Sequence, residues 1–270
     1  MSDILLTRRE GAVLVLTINN PSARNAMSFE FFPALTAALA QAQTDPHIGA
    51  IVLMGADNFF CSGGDLRRLA HSHEFTLQQR RTGIETLHQM IRALRDCSKP
   101  VIAAVEGGAA GAGVSLALAC DLLVIADNAY FSVAYVKVGL TPDGGVTGFL
   151  ADAMPRQLAT ELCLTGERIF APRLAQLGIA NRLAEAGQVE MQAMTLAAWL
   201  AQGPGRAMGR IKKLCRAGSG NTLMQQLDLE AQCMVESQGD SEAREGISAF
   251  LEKRPADFVA LRGAARGGHQ

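Results

Sequence analysis

The chain has 270 residues, of which 49% are hydrophobic and 19% charged, and its formal net charge is −1. This apolar content is enough for a sizeable core and excludes global disorder, and the near-neutral charge argues against a nucleic-acid-binding protein. The six cysteines form no C-x-x-C pair, so we expect reduced thiols, no zinc site and a cytoplasmic location.

The first part of the chain predicts a β-hairpin, a helix and a further strand. The N-terminal residues lack the basic and then apolar pattern of a signal peptide. β-Rich runs at 5–9 and 13–19 are separated by a glycine turn, as in a hairpin. Ser28 is predicted to cap a helix that ends near Gln43, because the apolar residues recur at helical spacing. A compact apolar run follows at 50–54.

The middle of the chain alternates between helices and strands. A long amphipathic helix is predicted at 76–95, and a helix of small residues at 111–120 lies between apolar strands at 100–105 and 122–126. This alternation favours a parallel sheet with helices packed on it. The most apolar stretch, 101–126, contains acidic residues and many glycines, so it predicts a buried core and not a membrane span.

Beyond about residue 155 the pattern becomes mostly helical, with a strand expected only at 179–183. The predicted helices are 156–164, 172–177, 188–201, 206–217, 222–237 and 242–251. We therefore predict an α/β core over 1–200 and a C-terminal helical region over 201–270. The Gly- and Arg-rich end from Arg262 onward is expected to fray.

Two glycine-rich junctions each follow a strand and open a helix, at Phe60–Leu66 and at Val105–Leu116. Free backbone N–H groups at such a junction can face a ligand. Two of them directed at one oxygen form an oxyanion hole, which often contributes more than any other group to the catalysis of acyl chemistry. The structural alternative is that these glycines only permit tight turns and close packing. Ser62, three residues before Asp65, also fits an ordinary capping box.

Five segments, in order, resemble those of the crotonase (enoyl-CoA hydratase/isomerase) superfamily, and together they span about residues 5–258. The segments are Pro21–Met27, Phe60–Leu66, Val105–Asp121, Pro142–Gly145 and Phe250–Pro255. The resemblance implies an α/β fold with a crotonase-like (ββα superhelix) core and a C-terminal helical trimerisation region. It also implies a homotrimer or dimer of trimers and an acyl-CoA thioester substrate. Coenzyme A is then part of the substrate, and no metal or other cofactor is expected.

The resemblance also implies roles for individual residues. Gly64 and Ala112 would supply the two oxyanion N–H donors. Six residues would line the path of coenzyme A: Arg24, Ala26, Ser62, Asp65, Leu66 and Arg67. Phe250 and Lys253 would close over the adenine end, in this family often from a neighbouring subunit. Cationic side chains suit the coenzyme because they pair with phosphates, although each of them taken alone is also typical of a solvated surface.

The sequence departs from the hydratase pattern of that superfamily. Its two glutamates are replaced by Ser115 and Tyr135, and neither residue can act as a carboxylate base. Asp143 follows in a Pro-Asp-Gly-Gly run, which resembles members that shift double bonds or remodel rings with that aspartate as acid/base. The structural alternative for Asp143 is a helix N-cap. Ser115 and Tyr135 would then hydrogen-bond a group of the substrate.

Other functions stay open at this point. A dinucleotide-binding oxidoreductase is disfavoured because Leu116 stands where the third glycine of the fingerprint belongs. A serine hydrolase with Ser115 as nucleophile lacks a suitable histidine, since the five histidines are predicted on the surface or on helix faces. A catalytically silent acyl-CoA-binding relative, a thioester hydrolase or dehalogenase with Asp143 as nucleophile, and hydration by Asp143 alone remain alternatives.

Overall fold

The computed structural model describes residues 3–264, with side chains up to Arg262. The strands of these residues are β1 (Leu5–Glu10), β2 (Val13–Ile18), β3 (Ala50–Gly55), β4 (Val101–Val105), β5 (Gly108–Ala110), β6 (Leu122–Ala126), β7 (Tyr130–Ser132), β8 (Arg168–Phe170) and β9 (Arg182–Ala184). The helices are α1 (Phe31–Thr44), α2 (Leu66–Leu69), α3 (Leu77–Asp96), α4 (Ala112–Ala119), α5 (Val146–Ala153), α6 (Arg156–Thr165), α7 (Ala171–Gln176), α8 (Val189–Leu200), α9 (Gly205–Gly218), α10 (Leu223–Gln238), α11 (Ser241–Leu251) and α12 (Phe258–Ala264).

The main sheet has the strand order β1-β2-β3-β4-β6-β9. The predicted hairpin pairs β1 with β2 in antiparallel register, and every other pair in this sheet is parallel. β4 is fully buried, as its continuous apolar sequence requires for a strand covered on both faces. α8 contacts β2, β3, β4 and β6, while α1 and α3 pack against each other. Because β3 and β4 are paired in parallel, their ends lie side by side, and each strand leads into one glycine-rich junction.

A second, three-stranded sheet, with the order β5-β7-β8, was not predicted. Its strands have only three residues each, which is too short for a period of two to be recognised. β8 also corrects the expectation that 179–183 holds the only strand beyond residue 155. That strand itself begins later, at Arg182, because the N–H groups of Ile179 and Ala180 bond to Leu174 O instead of joining the sheet.

The predicted role of Ser28 as a helix cap is wrong. α1 begins at Phe31, and the residue before it, Glu30, makes no side-chain cap hydrogen bond. The delay has a physical cause, since Met27 is still extended and forms a bridge with Gly64 in the first junction. The chain is thus held at the junction before it can turn into the helix.

Beyond α8 the described residues form helices only, as predicted, although the boundary between the two regions remains a prediction. Lys212 of α9 joins this part to the core, because its Nζ lies 2.6 Å from Asp121 Oδ2 and also donates to two main-chain carbonyls. Buried Glu242 accepts hydrogen bonds from the first N–H groups of α9, at 3.0–3.2 Å. α12 includes Arg262, and 265–270, the rest of the end that was expected to fray, lie outside the described residues. No helix among the described residues is long and apolar enough to cross a membrane.

Candidate active site

The two glycine-rich junctions touch each other through their backbones. Cys61 and Ala109 form a parallel bridge, and the N–H of Ala110 donates to Cys61 O at 2.9 Å. Further along, a Cβ added to Gly63 would lie 3.2 Å from the backbone nitrogen of Ala112. The first residues of α4 are therefore held against the first junction.

The N–H groups of Gly64 and Ala112 are available to a ligand. In the part of the chain that the structure describes, neither N–H donates to a protein acceptor. Gly64 takes part in its bridge with Met27 without using its own N–H, since the bonds there run from Met27 N and Asp65 N. Ala112 is the first residue of α4, where a helix leaves N–H groups unpaired. These adjacent donors can stabilise negative charge on a ligand oxygen.

Glycine is required at this contact for steric reasons. Gly63 has a φ of +101°, and a Cβ there would lie 2.8 Å from Ala110 O. A Cβ on Gly113 would lie 2.3 Å from Cys61 O, closer than atoms can approach. The close-packing explanation of these glycines is therefore correct, and it does not compete with the functional one, because the packing brings the two free N–H groups together.

The Pro21–Met27 loop lies against the first junction. Ser62 donates from its hydroxyl to Ala23 O at 2.9 Å and from its N–H to Arg24 O at 3.0 Å. Buried Asn25 fastens the loop from the other side through its side-chain amide, which donates to Ala56 O and Phe59 O. The structure thus brings Arg24 next to Ser62, and Ala26, two residues further along the chain, belongs to the same loop.

The capping box predicted for Ser62 is wrong. Asp65 is itself the N-cap of α2, and its carboxylate accepts a hydrogen bond from Arg67 N at 2.9 Å. The Ser62 hydroxyl is used by the loop instead. Leu66 and Arg67 are exposed on α2, directly after Gly64 and Asp65.

Arg24 borders a cleft of about 480 Å³ that contains a second arginine. The guanidinium of Arg24 lies 5.8 Å from the centre of the Phe59 ring, and that of Arg168 lies 4.1 Å from the centre of the Tyr130 ring. Arg168, Phe59 and Tyr130 could not be predicted as neighbours of Arg24, because they come from separate loops and short strands. Arginine stacked on an aromatic ring keeps its charge available for an anion.

Asp143 lies in a cluster of hydroxyl groups. The Tyr135 O–H donates to Asp143 Oδ1 at 2.7 Å, and the Ser115 O–H donates to Asp143 O at 3.0 Å. Ser115 is fully buried in α4, one turn beyond Ala112. The two positions that depart from the hydratase pattern are therefore in direct contact with the acid that the sequence analysis singled out.

Asp143 is not a helix cap. The residue at the N-cap of α5 is Gly145, in a left-handed conformation with φ +83°, and no side chain caps this helix. Only the backbone carbonyl of Asp143 accepts a bond from Val146 N. The structural alternative for this carboxyl group is therefore wrong, and its side chain is directed to Tyr135.

The cluster changes the acidity of its members. Burial raises the pKa of the Asp143 carboxyl above its ordinary value, while the Tyr135 hydrogen bond and the nearby His88 imidazole oppose this rise. Burial and then the charge of Asp143 also raise the pKa of Tyr135, so its hydroxyl remains a donor. A carboxyl group with a raised pKa is suited to proton transfer near neutral pH.

His88 is the neighbour of Asp143 that the sequence analysis placed on an exposed helix face. Its Nε2 accepts a hydrogen bond from Gly144 N at 3.3 Å, and its Nδ1 lies 4.0 Å from Glu85 Oε2. Helical periodicity places His88 beside Leu87 on α3 but does not reveal which loop the helix meets.

The remaining predicted residues are not brought to this site. Phe250 is 83% exposed, and among the described residues no hydrogen bond or ion pair links it or Lys253 to Arg24, Gly64 or Asp143. Ser115 donates to a main-chain carbonyl and, within residues 3–264, has no histidine partner, so nothing supports it as a nucleophile. The same residues contain no group of three or more metal-ligating side chains placed to hold a metal ion.

Comparison with known proteins shows consistent similarity over nearly the whole chain. Residues 8–260 match the sequence model of the family described as enoyl-CoA hydratase/isomerase. The chain is 38% identical to a probable enoyl-CoA hydratase of Rhodobacter capsulatus, over 91% of this chain and 93% of that relative. It is 34% identical to the 1,2-epoxyphenylacetyl-CoA isomerase of Escherichia coli, over 96% of this chain and 99% of that relative. The crystal structure of an enoyl-CoA hydratase from Polaromonas sp. JS666 has a TM-score of 0.91 at 44% identity, covering 94% of this chain and 98% of that one.

Proposed function

This chain belongs to the enoyl-CoA hydratase/isomerase family, and from that premise we propose that it transfers a proton within an acyl-CoA thioester, with Asp143 as the acid/base. The comparisons confirm the predicted crotonase-like α/β fold. One observation carries the proposal: the acid of the cluster, Asp143, is held by Tyr135 and Ser115 at the positions where a hydratase has glutamates. The reaction is then a shift of a double bond or the rearrangement or opening of a ring.

The first half of the reaction uses the two backbone donors. The thioester oxygen accepts hydrogen bonds from Gly64 N–H and Ala112 N–H, and Asp143 removes a proton from the carbon next to the carbonyl. The electron pair of the broken C–H bond forms the enolate, whose charge the two donors stabilise. Each such donor typically contributes about 10²–10³ in rate, and a placed acid/base about 10²–10⁴.

In the second half Asp143 returns the proton to a different carbon of the acyl group. The enolate electrons re-form the carbonyl, and the adjacent double bond moves to accept the proton, so no water, metal or oxidant is consumed. Ser115 supports this step from one turn beyond Ala112, since its bond to Asp143 O keeps the acid near the donors. The Tyr135 hydroxyl stabilises the ionised form of Asp143 before the first proton transfer and after the second.

Coenzyme A would extend from the two donors along the Pro21–Met27 loop. The exposed guanidinium groups of Arg24 and Arg67 would pair with its phosphates. Ala26, Ser62, Asp65 and Leu66 would line the path. Phe250 and Lys253 would act from a neighbouring subunit of a homotrimer or dimer of trimers, in line with the absence, among the described residues, of hydrogen bonds and ion pairs between them and Arg24, Gly64 or Asp143.

Hydration of an enoyl-CoA is the second candidate. It is favoured by the similarity to the probable hydratase of Rhodobacter capsulatus. Asp143 would then have to activate water alone, without the second carboxylate that the resemblance associates with efficient hydration. We therefore expect hydration to be slower than isomerisation in this chain.

The proposal is tested with Asp143→Asn and the matched variant Asp127→Asn, which alters an exposed aspartate. Isomerisation of a 3-enoyl-CoA and hydration of crotonyl-CoA are followed by thioester absorbance, and binding of acetyl-CoA by calorimetry. We expect Asp143→Asn to lower isomerisation about 10²-fold or more while acetyl-CoA binding is unchanged, and Asp127→Asn to behave as wild type.

Four results would contradict the proposal. Asp143→Asn with full isomerisation would remove the acid/base role. Faster hydration than isomerisation by the wild-type chain would make it a hydratase, and a trapped acyl ester on Asp143 would make this residue a nucleophile. Binding without chemistry on any thioester would identify a silent relative.

A further inference from the structure

His88 contacts the loop that carries Asp143 from a different direction than Tyr135 and Ser115. Its Nε2 accepts a hydrogen bond from the N–H of Gly144, the residue directly after the proposed acid/base. A ring nitrogen can accept only through its lone pair, so the imidazole must be without a proton on Nε2. We infer that neutral His88 is a positioning residue, which fixes the Asp143 carboxyl group by holding the Gly144 amide. This inference rests on the proposed function.

The Gly144 backbone has little freedom once this bond is made. Its φ is +62°, and a Cβ added there would lie 2.8 Å from the Cβ of Ser115 and 3.8 Å from the Leu87 side chain. The loop is thus enclosed between α4 and α3. Three anchors then determine where the carboxyl group lies: the Tyr135 hydroxyl on the carboxylate, the Ser115 hydroxyl on the Asp143 carbonyl, and His88 on the next amide.

Only one of these three anchors, the His88 imidazole, accepts its hydrogen bond through a nitrogen that an added proton would block. The Ser115 and Tyr135 hydroxyl groups act as donors, and the raised pKa of Tyr135 keeps its proton in place. Protonated His88 carries N–H groups on both ring nitrogens and cannot accept from Gly144. The amide would lose its acceptor, and the Asp143 loop would lose the anchor closest to the carboxyl group.

The charged groups around His88 act on this equilibrium from two elements. On its own helix, Glu85 faces Nδ1 at 4.0 Å and is itself paired with Arg92 at 2.6 Å. From the loop, the carboxyl group of Asp143 faces the ring, next to the neutral Tyr135 hydroxyl. Protonation of His88 therefore has two opposite effects on activity. It favours the ionised form of Asp143, but it also releases the backbone that positions the Asp143 carboxyl group. Misplacement of a reacting group by about 1 Å costs about 10²-fold, so the loss of the anchor outweighs the gain in ionised Asp143, and a protonated His88 lowers activity.

The test compares His88→Gln with His88→Leu. The side-chain oxygen of glutamine can accept from Gly144 N–H but does not titrate, whereas leucine removes the acceptor. For isomerisation of a 3-enoyl-CoA we expect His88→Leu to lower kcat about tenfold or more with little change in KM. We expect His88→Gln to keep most of the wild-type kcat and to retain it at lower pH than the wild type does. His71→Gln, on an exposed histidine, is the matched control.

Two outcomes would overturn the inference: wild-type kcat in His88→Leu, or an equal loss of kcat in His88→Gln and His88→Leu. Because His88→Leu could fail to fold, the ¹⁵N–¹H resonance of Gly144 in the wild-type protein is followed against pH as a second measurement. It should titrate together with the His88 ring, and a resonance that stays constant would refute the bond. Failure of the proposed function can be recognised separately, because only in that case does Asp143→Asn keep its isomerisation activity.

Discussion

Gly113→Ala tests whether the contact between the two junctions places the proposed donors. A Cβ at this position would lie 2.3 Å from Cys61 O, whereas ordinary van der Waals contact begins at 3.4 Å, so the backbones must separate by about 1.1 Å. A shift of about 1 Å at reacting groups costs about 10²-fold in rate. Overpacking a core site costs about 1–3 kcal/mol, and replacing a helical glycine by alanine recovers about 1 kcal/mol. We expect kcat to fall about 10²-fold while the free energy of unfolding falls by no more than about 2 kcal/mol.

Isomerisation of a 3-enoyl-CoA gives kcat, and urea unfolding gives the stability of the same preparations. Gly148→Ala in α5 is the matched control, because a Cβ there would meet no atom within 4 Å. It should retain wild-type activity and gain up to about 1 kcal/mol in stability. Full activity of Gly113→Ala would show that the contact between the junctions does not place the donors. A loss of activity that follows only from a larger unfolded fraction would show the same.

Two further predictions concern other parts of the chain. Tyr135→Phe removes a hydrogen bond that lowers the pKa of Asp143, so this pKa should rise. Because a base must be ionised, the acid side of the pH–rate profile for isomerisation should move to higher pH. Glu242→Ala removes the buried carboxylate that accepts from the first N–H groups of α9. We expect the free energy of unfolding, measured with urea, to fall by about 1–3 kcal/mol.

These two predictions have their own controls. A pH–rate profile that is unchanged or displaced to lower pH in Tyr135→Phe would show that the hydroxyl does not act on Asp143. Glu161→Ala alters an exposed glutamate in the middle of α6 and should cost less than about 0.5 kcal/mol. Equal stability of Glu242→Ala and Glu161→Ala would mean that the cap contributes nothing to the docking of α9.

Elements with long or distinctive patterns could be predicted from the sequence. β4 and α4 were recognised because a continuous apolar run and a run of small residues are typical of fully buried segments. The strands of the second sheet were missed because three residues cannot display a period. The start of α1 was misplaced because a long-range bridge of Met27 to Gly64 overrides the local cap at Ser28.

The same distinction applies to the candidate site. The resemblance alone implied Gly64 and Ala112 as the two donors, and the parallel pairing of β3 with β4 explains why their junctions lie together. The contact of His88 with Gly144 could not be predicted, because it joins residues 56 apart in sequence and the helical periodicity of α3 does not show which loop this face meets. The roles predicted for Arg24, Arg67, Phe250 and the other site residues stay predictions.

The narrow space between Ser115 and Gly144 limits the evolutionary routes open to this chain. Position 115 is where the resemblance expects a hydratase glutamate, yet Ser115 is fully buried and a Cβ on Gly144 would already lie within 2.9 Å of its hydroxyl. A longer acidic side chain would fit only if the loop moved, and that movement would disturb Asp143. A single substitution of Ser115 by glutamate would therefore crowd the loop that carries Asp143. A glutamate at position 115 therefore calls for a compensating change in the loop around Gly144.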